Sequence, residues 1–255
     1  PFQPTPGSKD WDPKAMGEQV NRDVKHFADM TAHMDKLVGQ LIAKLDELKL
    51  RENTLVILLG DNGTGVTVMS QFKGKPYPGG KGTASARGTH TPLIVSWPGH
   101  VPAGKVNQNL ISSTDFLPTI CEAAGATVPA ALKIDGKSFY PQLLGQKGQP
   151  REWLYSWYAR NGGGKPQWEY AMTASHKLYR DGRFFDLTAD PFEEKAALTV
   201  ASLSGPAAAA AKKLQGALDQ YTNARPAHLM TAPAADADDD GAAKKKAGKG
   251  KKKQP

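Results

Sequence analysis

Thr54-Leu55-Val56-Ile57-Leu58-Leu59 is a continuous apolar run rich in β-branched residues. Such a run reads as a strand covered on both faces. It follows a stretch of about residues 15–50 in which Val20, Val24, Phe27, Met30, Met34, Val38, Leu41, Ile42, Leu45 and Leu48 recur at three- and four-residue steps. That is the period of one long amphipathic helix, with Lys, Asp and Glu on its other face. The Met and Phe stripe is expected to pack as core rather than to hold a cofactor. His26 and His33 lack a metal partner at four-residue spacing, so both are expected at the surface or the core edge. A helix feeding a buried strand is the αβ half of a βαβ unit, which sets the fold class as α/β.

The strand ends at Gly60-Asp61-Asn62-Gly63, and the carboxyl end of a strand is where open α/β sheets bind ligands. Residues 63–91 form a Gly- and Lys-rich loop, longer than a compact domain usually carries without a functional reason. Pro92-Leu93-Ile94-Val95-Ser96-Trp97 is the next strand, closed by Pro98-Gly99. Thr114-Asp115 is expected to cap a helix over 116–124 that ends at Gly125. Beyond about Asp135 the pattern shortens to strand-like pieces at 152–159, 170–174, 177–179 and 184–187, then an Ala-rich helix over 206–221. The expected architecture is part of a central mixed, mostly parallel sheet flanked by helices, followed by a smaller antiparallel C-terminal subdomain. Three segments are expected: 1–134, the C-terminal part of an α/β catalytic domain; 135–223, the small subdomain; and 224–255, a disordered tail.

A chain of 255 residues buries roughly 70–75% of its unfolded surface and needs no disulfide or metal staple. No run reaches the roughly 18–20 apolar residues of a membrane span. The only cysteine, Cys121, lies in an apolar helix and is expected to be a buried, inert thiol. The N-terminal PFQPTPGSKDWDP has neither a basic nor an apolar leader region, so it is not a signal peptide, and the chain is expected to begin within a longer protein. The net charge is +8, and from Thr231 onward seven Lys face four Asp. The body is therefore only mildly basic, unlike a dedicated nucleic-acid binder. The tail lacks aromatic residues and cannot order itself; its lysines could hold a polyanion, but solubility is the preferred reading.

Asp61 and Asn62 are adjacent oxygen donors, suited to a hard cation such as Ca²⁺ or Mg²⁺ rather than zinc. On spacing alone, Asp-Asn-Gly reads first as an Asx turn, and other carboxylates would have to complete a site. Asn62-Gly63-Thr64 also matches a glycosylation sequon. Lys81 lies in Gly79-Gly80-Lys81-Gly82-Thr83, where glycines allow close backbone approach and a lone ammonium suits a tetrahedral oxyanion. The P-loop pattern is not met, because Gly82 stands where Ser or Thr is required. Lys73, Lys75 and Arg87 are read as solvating the same loop. His90, before Thr91-Pro92, is a candidate proton donor, although a lone histidine is more often structural.

Taken in order, these pieces resemble the C-terminal half to two-thirds of a sulfatase of the alkaline-phosphatase-like superfamily. The run is Leu45-Asp46-Glu47-Leu48-Lys49-Leu50, Glu52-Asn53-Thr54-Leu55-Val56-Ile57, Asp61-Asn62-Gly63, Gly79-Gly80-Lys81-Gly82-Thr83 and Pro92 to Gly99. Thr114-Asp115-Phe116-Leu117-Pro118-Thr119-Ile120, Asp135-Gly136-Lys137-Ser138 and Phe185-Asp186-Leu187-Thr188-Ala189-Asp190-Pro191-Phe192-Glu193-Glu194 complete it. The resemblance covers about residues 1–223.

It implies hydrolysis of sulfate esters by a formylglycine and a divalent cation, usually Ca²⁺. Asp61 and Asn62 match the family's metal pair, and Lys81 matches its sulfate-binding lysine. It further implies a sulfate-ester substrate, such as a sulfated carbohydrate, and a periplasmic or secreted location. The formylglycine precursor motif C/S-x-P-x-R is absent, as are the upstream Asp-Asp metal pair and the Pro-His motif. The missing N-terminal half of the same protein is thus an expected partner, and the chain alone is expected to hydrolyse no sulfate ester. Relatives often carry Glu-Gly-Gly and then Arg where this chain has Ala86-Arg87-Gly88 and His90. Two alternatives stand beside this reading: a non-catalytic module binding sulfated glycans or other polyanions, and a phosphatase or phosphodiesterase of the same superfamily. The second is disfavoured because that chemistry usually uses two metals.

Overall fold

A computed structural model describes residues 2–20, 22–159 and 168–224. All but the first residue of the expected tail lies outside the described residues.

The long helix is α1, Phe27–Glu47, preceded by separate 3-10 turns at Gly17–Gln19 and Val24–His26. The helix expected from 15 to 50 is therefore shorter. Gly17 sits at φ 60° and Val20 is extended, which breaks the early turns. The start signal is Asp23, whose Oδ1 accepts the Lys25 N–H at 2.8 Å, the bond an Asx N-cap makes. At the other end Lys49 takes φ 57°, and the N–H groups of Lys49 and Leu50 return to the carbonyls of Asp46 and Leu45. This is a Schellman closure with lysine in the place glycine usually fills.

The apolar stripe of α1 does not become core: the helix has no buried residue, and Met34, Leu37, Leu41 and Leu48 are half exposed or more. Among the described residues, α1 packs chiefly on the turns at 24–26 and 51–53, and Phe2 meets Phe27 edge-on at 5.5 Å. His26, expected at the surface or core edge, is instead 2% exposed. Cys121 is half-buried rather than fully buried.

The apolar run forms β1, Val56–Leu59. The long loop contains a hairpin, β2 Met69–Phe72 and β3 Lys75–Pro78, turned by Lys73 and Gly74 at φ 50° and 75°. Two successive positive-φ residues are what a tight hairpin requires. The one-turn helix α2, Ala86–Thr89, and β4, Leu93–Ser96, follow.

β1 and β4 pair antiparallel, Leu59 opposite Leu93, so the expected mostly parallel central sheet is not what these strands form. A parallel pair needs a crossover to the far end of the sheet. Here residues 60–92 return to the end they left. The Trp97 Nε1–H donates to the Glu52 carbonyl at 2.7 Å, tying β4 to the turn before β1.

The helix expected over 116–124 is α3, Phe116–Ala123. Asp115 holds its N-cap position as expected, though its side chain makes no cap bond there; the capping box belongs to the preceding 3-10 turn at Ser113–Asp115, whose cap is Ser112. The Asp115 carboxylate accepts the N–H groups of Ser112 and Lys137, both at 2.8 Å, and pairs with the Arg151 guanidinium. Thr119 bridges α3 to the chain before α4, Tyr140–Leu143, by accepting the Phe139 N–H at 3.0 Å.

The antiparallel C-terminal sheet forms as expected, in the order β5 Leu154–Tyr158, β6 Trp168–Met172, β7 His176–Tyr179, β8 Arg183–Asp186 and β9 Leu198–Thr199. Helix α5, Gly205–Asp219, covers one face. Ala171, Leu178 and Phe184 point to it and meet Ala211, Leu214, Ala217 and Leu218. Because side chains alternate along a strand, Tyr170, Tyr179 and Phe185 point to the opposite face, where Ala84 from the lysine loop packs.

Arg151→Ala would leave Asp115 as a buried, unpaired carboxylate. Denaturant titration should show a loss of about 3–5 kcal/mol; a loss below about 1 kcal/mol would show the pair to be dispensable.

Candidate functional site

Two glycine-bearing segments meet at the end of β1. The Gly63 N–H donates to the Gly88 carbonyl and the Lys81 N–H to the Thr64 carbonyl, each at 2.9 Å. The Gly79 N–H reaches the Val68 carbonyl at 2.9 Å. A Cβ at Gly63 would overlap the Arg87 carbonyl oxygen, and one at Gly79 the Gly65 carbonyl oxygen. These glycines are required by close backbone approach rather than by an unusual φ. The Asp61-Asn62 turn and the Lys81 loop are therefore one packed unit, although the sequence separates them.

Asn62 and His90 line one cleft of about 200 Å³ together with Thr64, Tyr77, Gly79 and Arg87. Asp61 lies beside it: the Asn62 amide Nδ2 donates to Asp61 Oδ2 at 2.6 Å, and both side chains are exposed. Lys81 is also exposed. Among the described residues, the side chains of Asp61 and Lys81 form no ion pair. A larger cleft of about 290 Å³, lined by Asp135, Lys137, Arg151, Trp153 and Tyr221, contains none of these residues.

A carboxylate and an amide oxygen at a strand end are the donor types a hard cation takes. They supply two of the six to eight oxygens that Ca²⁺ uses. Among the described residues, no three His, Cys, Asp or Glu side chains gather as a metal set. The pair fits such an ion in kind, and further ligands would complete the shell.

Arg87 differs from its expected solvating role. Its Nη2 donates to Glu194 at 2.6 Å, its guanidinium lies 4.3 Å from the centre of the Phe192 ring, and it lines the cleft. No local signal marks it, because its partner lies 107 positions away. Tyr77 reaches the cleft because the hairpin carries it there, and the sequence reading treats that segment as plain loop.

Residues 2–126 match the sulfatase family, and residues 84–220 match the family described as N-sulphoglucosamine sulphohydrolase, C-terminal. Human arylsulfatase A is 38% identical over 130 residues, which are 51% of this chain and 25% of that protein. The N-acetylgalactosamine-6-sulfatase of Canis lupus familiaris is 33% identical over 131 residues, with the same shares of 51% and 25%. Among solved structures, BT4656, in complex with its substrate D-glucosamine-2-N,6-O-disulfate, matches with a TM-score of 0.51 at 25% identity. That match covers 73% of this chain and 36% of BT4656. The chain thus spans about 25% of the length of these curated relatives. With the two family matches together running from residue 2 to residue 220, the second over more than half of the sequence, this chain belongs to the sulfatase family.

Proposed function

We propose that this chain carries part of the site of a sulfate-ester hydrolase acting on sulfated carbohydrate. The observation that carries the reading is the backbone union of the Lys81 loop with the Asp61-Asn62 turn. It sets an exposed ammonium and two oxygen donors on one packed unit at the end of a strand. The sulfated-sugar substrate of BT4656 supports the substrate class.

In this reading Lys81 holds the sulfate oxygens and offsets charge as the S–O bond to the leaving oxygen lengthens. His90, at the wall of the cleft, gives its proton to that oxygen as it departs as an alcohol. Asp61 and Asn62 would hold Ca²⁺ or Mg²⁺, whose charge, when bound, stabilises the oxyanions of the sulfate. A formylglycine supplies the family's nucleophile. This sequence contains no C/S-x-P-x-R motif, so residues 1–255 supply no nucleophile of that kind. The polyanion module and the phosphatase are not favoured, because the curated relatives named above are sulfatases.

Three measurements test the proposal. Titration of the chain with inorganic sulfate should give saturable binding that Lys81→Ala weakens about tenfold, about 1.4 kcal/mol; unchanged affinity would remove Lys81 from the site. Ca²⁺ should shift the backbone resonances of residues 60–64 with an affinity in the weak range of about 10⁻⁴–10⁻³ M, and Asp61→Ala should abolish the shift. A shift that survives Asp61→Ala would place the cation elsewhere. On a chromogenic aryl sulfate residues 1–255 alone should show no turnover, and turnover would show that they carry a nucleophile of their own.

A further inference from the structure

Strand β7 exposes a second lysine to different physics. Its alternation sends Leu178 into the core under α5 and sends Lys177 to the opposite face. The Lys177 side chain is 2% exposed. Its ammonium lies 3.7 Å from the centre of the Tyr170 ring and 4.9 Å from that of Tyr179. It donates to Glu193 Oε1 at 2.8 Å and to the carbonyl oxygen of Ala84 at 2.5 Å. The Tyr179 hydroxyl donates to the other Glu193 oxygen. Burial pushes the lysine below its ordinary range, and the Glu193 carboxylate opposes that shift.

An ammonium in such a place costs several kcal/mol of desolvation unless every proton finds an acceptor. An apolar side chain would fill the same volume without that cost. What the ammonium adds is a bond to the backbone of the lysine loop, three residues after Lys81.

Residues 190–194, which supply Glu193, grip the loop a second time. Glu193 takes φ 57°, a conformation that non-glycine residues seldom adopt. Asp190 holds it there by accepting the N–H groups of Glu194 and Lys195 at 3.0 and 2.9 Å. Glu194 then pairs with Arg87 at 2.6 Å, while Phe192 lies under the Arg87 guanidinium. Ala84 and Arg87 are thus both pinned by residues 190–194 and β7, between Lys81 and His90.

We infer that Lys177, with Glu193 and Tyr179, is a positioning residue that fixes the Lys81 loop through the Ala84 carbonyl. The inference rests on the reading of Lys81 as the sulfate-binding lysine. It concerns how the loop is held, which is measurable without turnover.

The test compares the full chain with Lys177→Met, Glu193→Gln, Tyr179→Phe and Lys81→Ala. Backbone hydrogen exchange is followed at residues 80–90 and across β5 to β8, with inorganic sulfate titration alongside. Lys177→Met and Glu193→Gln should speed exchange at residues 83–90 at least tenfold while β5 to β8 keep their protection. Sulfate affinity should fall about as far as in Lys81→Ala, with Lys81 itself intact. Tyr179→Phe removes only one bond to Glu193 and should act in the same direction more weakly. If Lys177→Met does not fold, Glu193→Gln and Tyr179→Phe carry the comparison, since both keep the volume of the side chain.

Unchanged exchange at residues 83–90 in the folded variants would overturn the inference. So would faster exchange in the loop and the sheet together, which marks a general loss of stability. If Lys81→Ala leaves sulfate affinity unchanged while Lys177→Met still frees the loop, the clamp stands and the sulfate reading of Lys81 falls.

Discussion

The site depends on two peptide groups approaching each other where side chains would ordinarily keep them apart. Gly63 and Gly88 share a hydrogen bond, and a Cβ on Gly63 would occupy the position of the Arg87 carbonyl. That approach draws the turn after β1 against the loop before β4. It aligns Asn62, Tyr77, Arg87 and His90 along one cleft. Without it Lys81 would sit on a solvated loop with no fixed relation to Asp61. The chemistry proposed for this chain follows from that meeting more than from any single side chain.

The C-terminal sheet serves this unit through its two faces. One face is ordinary core, Leu178 and Phe184 against Leu214 and Leu218 on α5. The other carries tyrosines, one buried ammonium and a carboxylate, and it receives Ala84. A sheet that is apolar on one side supplies stability, and the polar side turns that stability into geometry. Polar networks of this kind hold a unique arrangement only when every member is partnered. Lys177 and Tyr179 each donate to one Glu193 oxygen, and a second proton of Lys177 goes to the Ala84 carbonyl of the loop.

Much of the secondary structure was readable from residue pattern. The run at Val56–Leu59, the strand before Pro98-Gly99, the helix ended by Gly125 and the four short strand signals after Asp135 all form. The failures share a cause. The parallel sheet was inferred from a helix leading into an apolar strand, but strand direction is set by where the connection returns. The hairpin at Met69–Pro78 escaped notice because its strands alternate no apolar face and its turn carries Lys73 before Gly74. The stripe on α1 has the helical period, yet periodicity states only which residues share a face. Among the described residues, little packs on it.

Residue type and order made Asp61, Asn62, Lys81 and His90 candidates, and the resemblance to sulfatases supplied their expected roles on an oxyanion and its counter-ion. They placed Asp61 and Asn62 at the end of one strand and His90 before the next, with Lys81 in the loop between. They marked Lys81 by its glycine-rich setting but gave no sign that Lys177, within a short strand, is a buried ammonium. Folding exposes the first and buries the second beneath two tyrosine rings. The contacts responsible span 93 positions from Ala84 to Lys177 and 107 from Arg87 to Glu194. Local pattern carries no information across such separations, because burial of a charge depends on which strand face it occupies and on what the rest of the chain lays over that face.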